Sequence, residues 1–337
     1  MTPSIWLSYF STSVAPFLIQ KQQKGSLAQQ HFVIANKNVR INCSNTLVAD
    51  KFSPSLLHLK APHFDEADLD IFVWQRDDFG MLSYPSITEG ENNLNETELI
   101  HQFNEQSISI YDPIKKQAFF WVNNLEQLGD WNYAKPFRVI THWFLSQHAL
   151  SMIHGAVVGT DAGAVLITAK GGSGKTTTAL SCFLDGLNYL SDDYVAIDTQ
   201  NPTAFSLYNS AMLTDDNVKR FPQLEGYIQN KSRPEGIKAL VYLNDINPSI
   251  MRAESKLKAI FIPRISHSQK TEIIATKKVA ALMAIAPTIR SLRNFEQEKL
   301  SAAKQLSEEL PCFELRLSND MQEIATTIRT FIDTYHA

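Results

Sequence analysis

Cysteine is scarce in this chain. Only Cys43, Cys182 and Cys312 occur in 337 residues, far apart and in no CxxC or Cys/His cluster. That spacing excludes a disulfide framework and argues against a structural zinc site, and it suits a reducing compartment. Charge of one sign is also lacking. Lys and Arg number 31 against 35 Asp and Glu, a net charge of −4, so the basic footprint of a nucleic-acid binder is missing. No apolar run approaches the ~20 residues that span a bilayer. The apolar opening Ile5-Trp6-Leu7-Ser8-Tyr9-Phe10 follows no basic region, meets no clear cleavage site and gives way to Ser11-Thr12-Ser13, which argues against an export leader. Internal repeats and low-complexity tracts are absent too. A cytoplasmic protein with neither a nucleic-acid nor a membrane partner is the expectation.

What is present is globular: 44% hydrophobic and 20% charged residues, in a chain long enough for two ordinary domains. Residues 169–176 read Ala-Lys-Gly-Gly-Ser-Gly-Lys-Thr, directly after the apolar run Ala164-Val165-Leu166-Ile167. This is the Walker A pattern, with Ala169 where the first glycine usually stands. A strand feeding a glycine-rich turn that opens a helix aims successive N–H groups and the helix's positive end at one point, which suits a polyphosphate. Ala169, Lys170, Gly171, Gly172, Ser173, Gly174, Lys175, Thr176 and Thr177 are therefore the nucleotide-binding candidates. Lys175 would reach the outer phosphates and the Thr176 hydroxyl would join the shell of Mg²⁺. The segment 176–184 places Leu180 and Phe183-Leu184 on one helical face, with Gly186 as a C-cap.

The chain divides on composition near residue 135. Residues 1–135 read as a β-rich domain with strands at 70–74 and 118–122 and a polar loop at 90–95. Residues 136–337 begin with a helical pattern at 137–145 after Pro136. The runs 153–159 and 164–168 flank Thr160-Asp161-Ala162-Gly163 as a hairpin leading into the phosphate loop. Strand character returns around 190, at 194–197 and at 257–264. The segments 279–285, 294–310 and 320–335 read as helices, the last amphipathic through Met321, Ile324, Ile328 and Phe331-Ile332.

Seventeen and eighteen residues beyond Lys175 stand Asp192 and Asp193. An acidic residue at the end of a strand near a phosphate loop holds Mg²⁺, directly or through water. Two adjacent carboxylates could divide the work, one serving the metal and the other accepting a proton from an attacking hydroxyl. Without the phosphate loop, the same pair reads as a capped turn. His154-Gly155 lies twenty-one residues ahead of Lys175. A lone histidine beside an apolar run is ordinarily structural, though one placed here could donate to a phosphoryl oxygen.

The set of Ile153-His154-Gly155, the loop 169–176 and Leu190-Ser191-Asp192-Asp193 resembles, in order and spacing, the catalytic core of the HPr kinase/phosphorylase family. Residues 136–337 look most like its divergent bacterial relatives, some of which phosphorylate a serine of a precursor peptide in peptide-modification pathways. Softer similarities lie at 206–211, 236–240 and 311–315. The resemblance implies an α/β fold, a P-loop mixed sheet flanked by helices and related to the ATP-type phosphoenolpyruvate carboxykinases, behind the β-rich N-terminal domain. It implies ATP and Mg²⁺ as cofactors, with Lys175 on the β/γ-phosphates and Thr176 on the metal. It makes Asp193 the general base, Asp192 metal or supporting ligand, and His154 a phosphate-side catalytic residue. A peptide or protein substrate and a homo-oligomer follow by analogy. The family's later Glu-x-Arg-Gly signature has no match, since Arg233-Pro234-Glu235-Gly236 is not that motif; kinase chemistry without the reverse phosphorylase reaction is the expectation. Met212 stands where relatives often carry lysine. Arg290, Arg293 or Lys238 could supply the transition-state cation. Two other readings stay open: a small-molecule or sugar kinase on the same fold, and a nucleotide-binding regulatory protein with little turnover.

Overall fold

The computed structural model describes residues 7–79, 90–92, 99–104, 106–266, 268, 270–289 and 296–335. Two compact units divide the chain, Met1–Phe144 and Leu145–Ala337. The division falls inside a helix at Arg138–Gln147, a few residues beyond the composition change near 135.

In the first unit β1 (Ala28–Ile34), β2 (Lys37–Cys43), β3 (Leu69–Gln75), β4 (Gly90–Asn92), β5 (Ile100–Phe103), β6 (Ser107–Asp112) and β7 (Gln117–Val122) form one mixed sheet. Their order is β1-β2-β3-β7-β6-β5-β4. The strands at 70–74 and 118–122 stand where their aromatic and branched residues put them. Residues 90–92 of the polar segment pair with β5 as an edge strand instead of looping, and 93–98 lie outside the described residues. A π-turn at Phe10–Val14 runs into α1 (Ala15–Gln23), whose Leu18 joins Phe10, Val14, Phe72, Trp74, Ile108, Ile110, Phe119 and Trp121 in a core on one face of the sheet. On the far side of the strands stand α2 (Thr46–Phe52), capped by the Asn45 side chain, and the short α3 (Asp130–Ala134). The helix already mentioned, Arg138–Gln147, is α4.

The second unit holds β8 (Leu150–His154), β9 (Ala156–Thr160), β10 (Gly163–Ile167), β11 (Asn188–Ser191), β12 (Tyr194–Asp198), β13 (Thr203–Ser206), β14 (Ser210–Leu213), β15 (Ala239–Tyr242), β16 (Glu254–Ile265), β17 (Glu272–Ala275) and β18 (Cys312–Leu317). Its helices are α5 (Lys175–Leu184), α6 (Asp215–Arg220), α7 (Lys278–Ile285), α8 (Glu296–Glu309) and α9 (Met321–Thr334). Nine strands make one mixed sheet: β10 runs parallel to β16, and β16 parallel to β18, while the other pairings are antiparallel. Alternation along β10 feeds two cores. Val165 and Ile167 pack in the layer of α5 and α9, and Ala164 and Leu166 in the layer of α7 and α8. The architecture is thus mixed α/β, with multi-stranded sheets flanked by helices. No helix among the described residues is long and apolar enough to cross a membrane.

One sequence expectation changes here. The sequence predicts one hairpin arm over 153–159, but the chain breaks at Gly155 into β8 and β9. β9 pairs with β10 and β11, whereas β8 pairs with β12. The partner strand breaks at the same level, between β11 and β12, at Asp192-Asp193. A two-stranded ribbon therefore bends from one part of the sheet into another, and both bends lie side by side.

Candidate active site

The glycine-rich segment 169–174 follows β10 and leads into α5. Thr168, the last residue before it, donates its N–H to Phe261 O of β16 at 3.0 Å. The chain then turns through Gly172 and Gly174, with φ of 78° and 98°, and Gly174 is the N-cap of α5. Gly174 is doubly constrained: its φ is left-handed, and a Cβ there would lie 2.7 Å from Leu317 Cδ1. With a glycine at the cap, no side chain satisfies the first N–H groups of α5. The helix ends as its sequence suggested. Gly186 has φ 83°, Gly186 N–H donates to Phe183 O and Leu187 N–H to Cys182 O, and Arg329 of α9 holds the Asp185 carbonyl and carboxylate.

Lys175 is buried, 6% exposed, and folds back onto the loop. Its ammonium donates to Ala169 O at 2.7 Å and lies 3.3 Å from Lys170 O. Burial lowers its pKa from the ordinary lysine value; the Asp192 and Asp193 charges oppose that shift, and the Lys238 charge adds to it. The lysine thus feels both aspartates. Asp192 is buried and Asp193 is partly exposed at the ribbon's bend.

The bend explains why His154 and Asp193 meet. Gly155 N–H donates to Asp193 O at 2.9 Å, and Ser191 Oγ lies 3.1 Å from Gly155 O and 2.9 Å from Tyr194 O. With the backbones tied there, His154 Nε2 stands 2.9 Å from Asp193 Oδ1, its ring tilted against Tyr194 at 5.4 Å. Gly155 is required for a different reason from the loop glycines. A Cβ on it would lie 2.9 Å from Leu166 Cδ1 and 3.2 Å from Ile167 O, so the bend rests directly on the end of β10 that opens the phosphate loop.

The residues present fit a bound nucleoside triphosphate and its Mg²⁺. Ser173 Oγ is buried without a hydrogen-bond partner, the first amides of α5 lack a side-chain acceptor, and the Thr176 hydroxyl has no protein partner among the described residues. Among the described residues no group of three His, Cys, Asp or Glu side chains could hold a metal ion. Mg²⁺ binds through one or two protein oxygens plus phosphates and water. Thr176 and Asp192 would be those oxygens.

Thr177 differs in detail. Its hydroxyl donates to Asn217 Oδ1 of α6 at 3.0 Å, which leaves its backbone amide, not its side chain, for a phosphate. Asn217 was invisible to sequence reasoning, since nothing in 214–220 marks it as a neighbour of the loop. Gly155 was visible as part of His-Gly, but its steric role was not. Lys238 is placed where its charge acts on Lys175, while Arg290 and Arg293 lie outside the described residues.

No protein-family model matches the chain, and a search of curated proteins finds no similar sequence. Among solved structures, the Hpr(Ser) kinase/phosphatase from Coxiella burnetii is similar over 54% of this chain and 88% of its own, at 8% identity and a TM-score of 0.31. A likeness that slight decides nothing about chemistry.

Proposed function

We propose that the Leu145–Ala337 unit is an Mg-ATP-dependent kinase that moves the γ-phosphoryl group to a hydroxyl, a serine of a peptide or protein. One observation carries the reading. The His154–Asp193 pair, 2.9 Å apart, is held at a backbone bend that rests on the strand opening the glycine-rich loop, and the Asp193 charge acts on Lys175. A pure nucleotide-binding module needs the loop but not this pair.

In the reaction, the acceptor oxygen forms a bond to Pγ, the bond from Pγ to the β–γ bridging oxygen breaks, and ADP leaves. Asp193 takes the acceptor's proton, and His154 holds that carboxylate in place. Mg²⁺, when bound, neutralises phosphate charge. The loop amides and Lys175 position the phosphates and stabilise the charge that builds up, which is where most catalysis of phosphoryl transfer arises. Serine as acceptor rests on the sequence resemblance, as does kinase chemistry without the reverse reaction.

The test is incubation with labelled ATP and Mg²⁺, with and without candidate peptides encoded beside the protein. Label on a serine, lost in Asp193→Asn, supports the proposal. ATP binding without turnover on any candidate would leave a regulatory nucleotide binder in its place.

A further inference from the structure

β14 and β15 pair from Ser210↔Tyr242 to Leu213↔Ala239, yet the whole of 214–238 lies between them, where a hairpin needs only about 2–5 residues. This insertion holds α6, a 3₁₀ turn at Pro222–Tyr227 and an arm at 229–238. Its root is buried, since Phe221, Leu224 and Ile228 join the core shared by α5 and α9. The end of the arm, 234–238, is exposed, and Gly236 turns it with φ 82°.

An exposed arm is ordinarily mobile. This one is tied at every stage. Gln229 N–H donates to Leu240 O at 2.9 Å. The Asn230 side chain brackets the arm's end: Nδ2 donates to Lys238 O at 3.0 Å, and Oδ1 accepts from Leu240 N–H at 2.8 Å. Arg233 holds the same end, its Nε donating to Ile237 O at 2.9 Å, and its Nη2 reaches Asp215 Oδ1 of α6 at 2.9 Å. From α6 the path continues to α5. Asn217 N–H is held by Thr214 Oγ1 at 3.3 Å, and Asn217 Oδ1 accepts from the Thr177 hydroxyl at 3.0 Å. Hydrogen bonds and one short helix therefore connect the end of the arm to the first turn of α5, two residues beyond Lys175.

What the path holds in place is a cation. Arg233 is paired with Asp215, whereas the exposed Lys238 ammonium makes no ion pair among the described residues. Its charge acts on Lys175, which is itself buried. Two like charges acting on each other disfavour the ligand-free state, and an anion bound beside both removes that cost.

We propose that Lys238 is a second phosphate-binding cation of this site, and that Asn217 is the positioning residue that registers its arm on the glycine-rich loop. The anion is the triphosphate of the proposed kinase reaction, on which this assignment rests. A lysine suits the task, because its flexible four-carbon stem carries a compact charge to a phosphate from an arm on the surface. As the γ-phosphoryl group transfers, a second fixed cation adds to the charge stabilisation that Lys175 and Mg²⁺ supply.

Titration calorimetry of the full chain with ATP and with inorganic tripolyphosphate tests this without needing the acceptor. Lys238→Met should weaken both ligands about tenfold, and Lys238→Arg, which keeps the charge, should stay within about threefold of the parent. The side chain is exposed, so Tm should not move and the loss cannot come from unfolding. Asn217→Ala should weaken both ligands about three- to fivefold, and the double variant should bind no worse than Lys238→Met alone, because Asn217 acts through the lysine. Additive losses in the double variant would mean a merely structural asparagine and overturn its role. Parent-like affinity in Lys238→Met, while Lys175→Met fails to bind, overturns the second cation and leaves the kinase reading standing. A parent that binds neither ligand, or a Lys175→Met variant that binds both as before, removes the nucleotide site and this assignment with it.

Discussion

Gly155→Ala is a one-methyl change whose consequence can be worked from the bend. The new Cβ would lie 2.9 Å from Leu166 Cδ1, 3.2 Å from Ile167 O and 3.6 Å from Thr168 Cβ. Leu166 and Ile167 are fully buried, so neither can step aside into solvent. Overpacking of this kind costs about 1–3 kcal/mol. For a unit of this size that lowers Tm by roughly 2–12 °C, read by scanning calorimetry. A second substitution isolates the cause. Leu166→Val deletes the Cδ atoms that the new methyl would strike, so Gly155→Ala should cost less in that background, by at least about 0.5 kcal/mol of coupling. Turnover should fall beyond the stability loss, because Ile167 and Thr168 lead into the phosphate loop and a misplacement of about 1 Å can cost ~10²-fold. A Gly155→Ala protein that melts and turns over like the parent would refute the claim that the bend rests on β10. Additive costs in the double variant would refute the identity of the contact.

Asp193→Asn should cut turnover by about 10² or more while ATP affinity stays within a few-fold, measured by single-turnover kinetics and titration; His154→Gln should retain part of the rate. If affinity falls as far as turnover, the proton-acceptor role is wrong. Lys175→Met should weaken ATP binding and change the pH dependence of folding. Burial lowers the lysine's pKa, so the unfolded chain binds more protons between that lowered value and the ordinary 10.5. The parent should therefore gain stability relative to Lys175→Met as pH rises through that window, and a flat difference in urea melts would count against a desolvated ammonium. The thiols have the opposite sign. Burial pushes Cys43 up to about 12 and Cys312 up to about 11 from 9.0, and raises Cys182 further. The folded chain holds thiol protons that the unfolded chain gives up, so this contribution is complete below pH 9.0 and is lost above it, by up to ~1.4 kcal/mol per pH unit for each thiol. Rapid labelling of any cysteine in the folded protein at pH 8 would contradict that burial.

Much of the second unit was legible because its signals are local. The apolar run, the glycine loop and the helix behind it need only neighbours in sequence, and the Schellman-type end at Gly186 follows from a single residue. The helix at Met321–Thr334 was equally plain from its periodicity, and its start is fixed by Asp320, whose carboxylate accepts from Gln322 and Glu323 N–H. The break at Gly155 was not legible. Residues 153–159 alternate well enough for one strand, and what interrupts them is the approach of Leu166 and Ile167 from a different strand. Asn217 stayed hidden for the same reason, since its place beside Thr177 depends on tertiary contact across forty residues. A cavity over β6 was not read from the sequence. The Ser-Ile alternation is plain in the sequence, but the burial of the serine side depends on a cover contributed by residues 128–139.

The two halves of the proposed active site are held in different ways. His154 and Asp193 belong to one bent ribbon whose backbones are bonded through Gly155 N–H and Asp193 O, so their 2.9 Å approach is set by the sheet. A geometry fixed by the backbone is what preorganised electrostatics requires. Lys175 is different. Its ammonium is satisfied by the loop's own carbonyls at Ala169 and Lys170, and burial disfavours its charge. A phosphate would offer it a full anion in exchange for two carbonyl dipoles, so the swing toward ligand gains charge-assisted hydrogen bonds where neutral acceptors stood before. Gly155, seated against the strand that enters the loop, is where the two halves meet.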